Sequence, residues 1–233
     1  ACERAKALGV YVVVRVQDKI ERAIGVVNGS TDLKSVEEVS GVGVQVFADG
    51  GLAGFASSDI VTPGSLVDLV ESATRLARES EAYGPEPSTG IERIRPLVAQ
   101  VDREPAMGMD SIGHAEEEEL VAGICKMTME LDSRLAVRTF YRIVDEEWRI
   151  VRTDGTDVMF SMPRAAVMNM ITARSDGHAA TVNASLAGED ASVVASPEGR
   201  LRLEKRTVKA ARTALALLGA PKARAGCYRI VID

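Results

Sequence analysis

The stretch from residue 41 to residue 59 constrains the fold of this chain more than any other. Its first part, Gly41-Val-Gly-Val-Gln-Val-Phe47, places valine at every second position, which is the period of a β-strand. Asp49-Gly50-Gly51 supplies residues that tolerate the positive φ angles of a tight turn. The segment from Leu52 to Ser57 then predicts a short return strand, so the whole stretch is expected to form a β-hairpin.

Long helices are predicted at three places. Thr62 can cap the first, and Pro63 suits its first helical position. Its apolar residues recur at helical spacing: Leu66, Leu69, Val70, Ala73, Leu76 and Ala77. A second helix is predicted from Ser111, as its cap, to Leu131, and a third over 201–218, where Gly219 ends it.

Runs of β-branched residues predict the remaining strands. Val10–Val16 is expected to turn at Asp18-Lys19 into a second strand, and 135–144 to turn at Asp145-Glu146-Glu147 into another. Further strands are predicted at 36–39 as an edge segment, 157–162, 165–173 and 228–233. The order of these elements predicts an α+β fold, with antiparallel or mixed sheets and flanking helices in two similar strand-and-helix lobes.

Four prolines between 83 and 105 mark the best candidate boundary along the chain. We therefore expect an N-terminal α/β lobe at 1–82, a proline-rich linker at 83–110 and a second α/β lobe at 111–233. Residues 1–8 resemble the tail of a helix and 228–233 a strand with nothing after it. The expectation is a region cut at both ends from a longer parent.

Composition excludes several classes of protein. Of 233 residues, 46% are hydrophobic but only one is Trp, so an autonomous core has to be aliphatic. The net charge of −6 is the opposite of the excess positive charge that nucleic-acid binding proteins carry, and it argues against that class. No run of about 18 apolar residues predicts a membrane span. Three widely spaced cysteines fit a reducing cytoplasm better than a disulfide framework.

Few residues could carry chemistry. His114 with Glu117 and Glu118 is the one cluster with the residue types of a metal site, but a solvated helix start explains it better. The run Glu116–Glu119 lacks the loop spacing of an EF-hand calcium site. His178 follows a turn and is interpreted as a turn residue.

The cysteines and glycines receive structural interpretations as well. Cys125 has no local histidine to activate it and is predicted to be a buried thiol. Cys2 and Cys227 lie near the ends of the chain. The glycines at 41–54 fail the spacing of phosphate-binding loops and fit hairpin geometry. We therefore predict no catalytic, cofactor-binding or metal-binding residue in this chain.

Four segments, in their order and spacing, carry a resemblance to a known family. They are the hairpin and helix from Gly41 to Ala77, the run Arg152-Thr-Asp-Gly-Thr-Asp-Val-Met-Phe-Ser-Met-Pro-Arg164, Ala173-Arg-Ser-Asp-Gly177 and Gly226–Asp233. Together they resemble the N-terminal half of the TldD/PmbA (TldE) family, once called modulators of DNA gyrase and understood as peptide-processing metalloproteases. The resemblance covers essentially the whole chain.

The resemblance implies a function for the parent rather than for single residues here. In the TldD-like branch a zinc-binding H-E-x-x-x-H helix follows the last of these segments, so this chain is expected to lack the zinc and to be inactive alone. The implied role is a cytoplasmic dimerisation and substrate-enclosing region, in a homodimer or a TldD/TldE-type heterodimer that admits extended peptides. The alternatives are part of a non-catalytic PmbA/TldE-like partner subunit or a purely structural dimerisation domain. Met162-Pro163-Arg164 favours the TldD-like branch.

Overall fold

The computed structural model describes residues 1–48, 53–80, 94–221 and 225–229. Its helices are α1 (Cys2–Leu8), α2 (Pro63–Ser80), α3 (His114–Met129), α4 (Ser192–Ala195) and α5 (Pro197–Leu218). Its strands are β1 (Tyr11–Val27), β2 (Ser30–Phe47), β3 (Ala53–Ser58), β4 (Val98–Val101), β5 (Leu135–Arg152), β6 (Asp157–Ser161), β7 (Arg164–Ser175) and β8 (His178–Gly188). No helix within these ranges combines the length and the hydropathy needed to cross a bilayer.

The eight strands form one mixed sheet, which confirms the predicted α+β class. Its main path runs β3-β2-β1-β5-β6-β4, and β7 and β8 extend it from β5. The central strand β1 pairs antiparallel with β2 on one edge and with β5 on the other. Of the pairs between described strands, β4 with β6 is parallel.

Two predicted turns are wrong, because the long strands β1 and β5 run straight through them. Asp18 lies within β1, opposite Ser40 of β2 and Glu147 of β5. Asp145-Glu146-Glu147 likewise lies within β5. These polar residues are weak strand formers, but pairing on both edges of β1 outweighs that local preference. The predicted segment at 36–39 is part of β2.

Pro163 lies between β6 and β7, where pairing along one edge of β5 is interrupted. Both β6 and β7 pair with the same edge of β5, β6 with residues 147–151 and β7 with residues 135–144. Proline has no N–H for a strand ladder, so pairing is interrupted between them. The Met162 N–H donates to the Glu146 carbonyl at 2.7 Å and keeps the chain on the edge.

Each end of the sheet has its own helix layer. At one end α1 and α2 cover buried residues of β1 and β2 such as Val12 and Val44. At the other end α3 and α5 cover Ile24, Tyr141 and Ile171. The even-numbered residues of β1 face both layers. A stripe of sheet around Ile20, which is 43% exposed, lies between them.

The helix starts agree with the sequence in part. The Thr62 hydroxyl accepts the Ser65 N–H at 3.1 Å, which confirms the predicted cap of α2. The cap predicted at Ser111 is wrong, because residues 109–111 form a 3-10 turn and α3 begins at His114. Helix α5 begins at Pro197, earlier than predicted, because the Ser196 hydroxyl accepts the Gly199 N–H at 2.9 Å.

Several predictions fall partly outside the described residues. The hairpin strands are confirmed, since β2 pairs with β3 from Val42–Ser58 to Phe47–Ala53. Its turn at 49–51 and residues 83–93 of the linker lie outside the described ranges, as do 230–233 of the last predicted strand. Within the linker, 98–101 forms β4. The division into two lobes and a linker stays a prediction.

Candidate functional site

The outer edge of β2 has no paired strand along most of its length within the described residues. Strand β3 pairs only with residues 42–47, while β2 begins at Ser30. Residues 30–40 are all exposed. An unpaired row of backbone N–H and C=O groups is a template for a further strand. We call residues 35–41 the open edge.

Neighbouring elements fix the two ends of the open edge. At one end the Lys34 ammonium lies 2.7 Å from the Glu118 carboxylate of α3, which also accepts a hydrogen bond from Thr31 at 2.8 Å. At the other end β3 stops at Ser58, opposite Val42. A strand added to the open edge would therefore continue the line of β3.

The side chains of the open edge are apolar enough to hold such a strand. Val36 is 59% exposed, on the face that bears the helices, and Val39 is exposed on the opposite face. Exposed β-branched side chains at an edge favour cross-strand packing. Glu37 and Glu38 between them supply charge, which natural proteins use to limit aggregation at edges.

A groove of about 550 Å³ begins where the open edge ends, on the face opposite the helices. We call it the aromatic groove. Gly41 and Gly43 of β2 form its floor, and Phe55 of β3 and Trp148 of β5 stand on its two sides. Its other lining residues are Arg15, Gln17, Ser40, Val42, Ser57, Ser58 and Asp59.

A buried carboxylate fixes one side of this groove. Glu146 is 5% exposed and accepts hydrogen bonds from the Gln17 amide and the Arg164 guanidinium. Burial is the largest influence on its pKa and raises it, but the hydrogen bonds from Arg164 and Gln17 outweigh burial, so the net pKa lies below the usual value. Glu146 therefore stays ionised and holds Gln17 in place.

The predicted interpretation of Glu117 as a solvated residue is wrong. Its side chain is fully buried, 3.8 Å from the Arg22 guanidinium and 4.0 Å from Nδ1 of His114. Burial raises the pKa of Glu117, and the Arg22 charge opposes that rise. Burial likewise raises the pKa of Tyr141, whose hydroxyl faces the same carboxylate.

This buried cluster has a structural role. Arg22 lies on β1, Tyr141 on β5 and Glu117 on α3, and Arg22 also donates to the Met109 carbonyl of the 3-10 turn. The cluster thus fastens α3 and the segment before it to the sheet. A signal for it exists in the sequence, because Glu117 lies four residues before Val121 and eight before Cys125, on the apolar side of α3.

The cluster does not fit a metal ion. Arg22 lies nearer to the Glu117 carboxylate than His114 does, and a cation would have to compete with it. Across the ranges that the structure describes, no three His, Cys, Asp or Glu side chains are grouped closely enough to hold a metal. Burial, then the charges of Lys34 and Arg22, lower the pKa of His114.

The other candidates from the sequence lie apart. Glu118 turns away from Glu117 toward Lys34, so the structure does not bring His114, Glu117 and Glu118 together as one ligand set. His178 is exposed at the start of β8, directly after the turn. Cys125 is fully buried, as predicted, and its Sγ accepts the Gly29 N–H at 3.3 Å.

The three free cysteines should react with iodoacetamide at very different rates. Cys227 is exposed and should be alkylated first. Cys2 should react more slowly, because burial raises the pKa of its thiol. Cys125 should react only when the protein unfolds. Mass spectrometry with and without guanidinium measures this order, and alkylation of native Cys125 as fast as Cys227 would show that α3 does not cover it.

Comparison with known proteins places this fold. Residues 12–77 match the model of PmbA/TldA metallopeptidase domain 1. A solved structure named as a modulator of a DNA gyrase from Thermotoga maritima is 18% identical, with a TM-score of 0.68 over 95% of this chain and 48% of that one. TldE from Thermococcus kodakarensis is 13% identical, with a TM-score of 0.64 over 88% of this chain and 44% of that one.

A third structure, named as a modulator of DNA gyrase from Bacteroides thetaiotaomicron, gives a TM-score of 0.67 at 13% identity over 92% of this chain and 47% of that one. At these identities the likeness shows a shared fold. The chain spans about half the length of the structures it matches. The comparison with curated proteins found no match.

Proposed function

We propose that this chain is the substrate-enclosing and dimerising N-terminal region of a zinc metallopeptidase. The proposal is supported by the match of residues 12–77 to the model of PmbA/TldA metallopeptidase domain 1 and by the fold shared with a structure named as a modulator of a DNA gyrase and with TldE. The open edge of β2 is the observation that carries this proposal. It offers the backbone groups that an extended peptide needs in order to bind as an added strand.

Strand addition selects for unfolded substrates. A folded protein has already paired its strands, whereas an extended peptide can align its N–H and C=O groups with residues 35–41. Hydrolysis itself belongs to zinc ligands that the resemblance places outside this chain. On the basis of that resemblance we assign this chain no hydrolytic step and expect it to be inactive alone.

Dimerisation and location complete the proposal. A second copy, or a TldD/TldE-type partner, is the expected neighbour in the assembly. The net charge of −6 supports a peptide partner over a nucleic acid, and the three free cysteines support a cytoplasmic location.

A non-catalytic partner subunit is the second candidate, favoured by the likeness to TldE. Mixing the full-length protein with a catalytic TldD-type subunit separates the two candidates. Peptide hydrolysis by the full-length protein alone supports the first, and hydrolysis that requires the added subunit supports the second.

Binding of a labelled peptide tests the open edge. The probe is a fluorescein-labelled peptide of about eight residues, alternating Val and Thr, which is long enough to span residues 35–41. We expect saturable anisotropy. N-methylation of every second residue can be placed in two ways, and each blocks the N–H groups along one edge of the peptide strand. We expect one of these two peptides to lose binding and the other to keep it, because only one edge of the peptide pairs with β2.

Matched protein variants locate the binding. Val36→Lys should weaken binding by about tenfold, since charge at an edge opposes strand addition. Val98→Lys on β4, where the side chain is 76% exposed, is the control and should leave binding unchanged. Equal binding by both variants, or by both N-methylated peptides, would contradict the proposal.

A further inference from the structure

We propose that the aromatic groove receives one planar apolar side chain of the bound peptide, so that the site prefers a peptide with an aromatic residue. This inference rests on the proposed function, since the peptide backbone is held at the open edge. The groove gives that backbone a side-chain pocket, as strand-addition sites do when they read alternate residues of a ligand.

The floor of the groove is glycine for reasons of space. Gly41 and Gly43 lie two residues apart and so face the same side of β2. Neither has a positive φ, so the backbone itself does not require glycine at these positions. Glycine within a strand is less favourable than alanine, so its presence here has another reason. An added Cβ would lie 3.1 Å from the Ser58 carbonyl oxygen at Gly41 and 3.1 Å from the Phe55 ring at Gly43, so the two glycines let β3 and the Phe55 ring pack closely on the floor of the groove.

Two aromatic side chains, Phe55 and Trp148, form the walls of the groove. Phe55 is 56% exposed although it is a large apolar side chain, and its ring lies over Gly43, where an added Cβ would be 3.1 Å away. Trp148 is half-buried on the far side, beside Gln17 in the register of β1 and β5. The strands that carry the two walls, β3 and β5, are three strand spacings apart, which is about 14 Å. The Phe55 ring leans over Gly43 toward Trp148, so the space left between the walls is suited to one aromatic ring.

Arg15 adds a cation to the groove. Its guanidinium donates to the Gln45 amide oxygen at 3.2 Å, and no described carboxylate forms an ion pair with it. The remaining guanidinium surface can stack on an aromatic face. An aromatic guest would therefore contact Phe55, Trp148 and Arg15 together.

The position of the groove matches the open edge. Gly41 belongs to both, and the groove lies on the face of β2 that also bears Glu37 and Val39. Every second side chain of an added strand points to that face. The residue of the peptide nearest Gly41 on that face is the one that we expect to enter the groove.

Trp148 is the only tryptophan of the chain, so its emission reports directly on the groove. We would titrate two alternating Val/Thr peptides that differ only by Phe or Ala at the groove position. The Phe peptide should bind about tenfold more tightly by anisotropy, from the transfer of one ring out of water, and should shift the Trp148 emission. The Ala peptide should bind without that shift.

Variants separate this inference from the proposed function. Phe55→Ala should abolish the preference for Phe, measured as the ratio of the affinities of the Phe and Ala peptides for the same variant, and Phe55→Leu should retain part of that preference. Equal affinities for both peptides, with binding intact, would overturn the groove and leave the open edge standing. Failure of both peptides to bind would overturn both proposals.

Discussion

Replacing Gly54 by alanine should destabilise the fold by about 3 kcal/mol, because the new Cβ has no room. It would lie 2.0 Å from the Ala73 carbonyl oxygen and 2.6 Å from the Ala77 nitrogen of α2. Both are backbone atoms of a helix that packs on β3, so the helix has to shift as a unit. That shift would open the core that includes Val44 and Val70. Urea denaturation measures the effect.

Gly123→Ala provides the matched control. Gly123 is exposed within α3, and a Cβ there meets nothing within 4 Å. The same chemical change should therefore stabilise the protein by about 0.8 kcal/mol through helix propensity. Opposite signs for the two variants are the expected result. A stability within about 0.5 kcal/mol of wild type for Gly54→Ala would mean that α2 does not lie this close to β3.

Replacing Arg22 by methionine should destabilise the protein by about 3 kcal/mol at neutral pH, because it leaves the fully buried Glu117 carboxylate without its partner charge. The loss should shrink toward pH 4.5. The pKa of Glu117 is already raised by burial, and removing Arg22 raises it further. An acid with a raised pKa gives stability that is present at low pH and lost as the pH rises through that pKa.

The double variant Arg22→Met with Glu117→Gln should recover much of this stability, since no charge then stays buried. Arg138→Met is the control, because its pair with Asp32 is about half exposed and should be worth less than about 1 kcal/mol. Chemical denaturation at several pH values measures all three variants. A loss for Arg22→Met that is independent of pH would show that Glu117 is not the cause.

The elements that local patterns determine were predictable from the sequence. Periodicity and capping among residues close together in the sequence were enough to predict the hairpin strands, α2 with its Thr62 cap and the buried Cys125. The buried Glu117 was missed, because four consecutive glutamates look alike until the position of the apolar side of α3 is used to separate them.

The candidate site could not be predicted in the same way. Whether an edge is open depends on where the neighbouring strand ends. Because β3 is short, it pairs with residues 42–47 of β2 and leaves the rest of that edge unpaired. The length of β1 and β5 depends on their mutual pairing rather than on residues such as Asp18. The aromatic groove combines side chains of four strands, from Arg15 to Trp148, which are far apart in sequence.

Backbone hydrogen exchange tests the central claim most directly. A strand that joins the open edge must slow exchange at alternate amides of residues 35–41, where residues 30–40 are exposed in the unbound chain. We predict that saturating Val/Thr peptide protects those amides and leaves β1, which is paired on both edges, unchanged. Peptide binding with no protection of residues 35–41 would contradict the account.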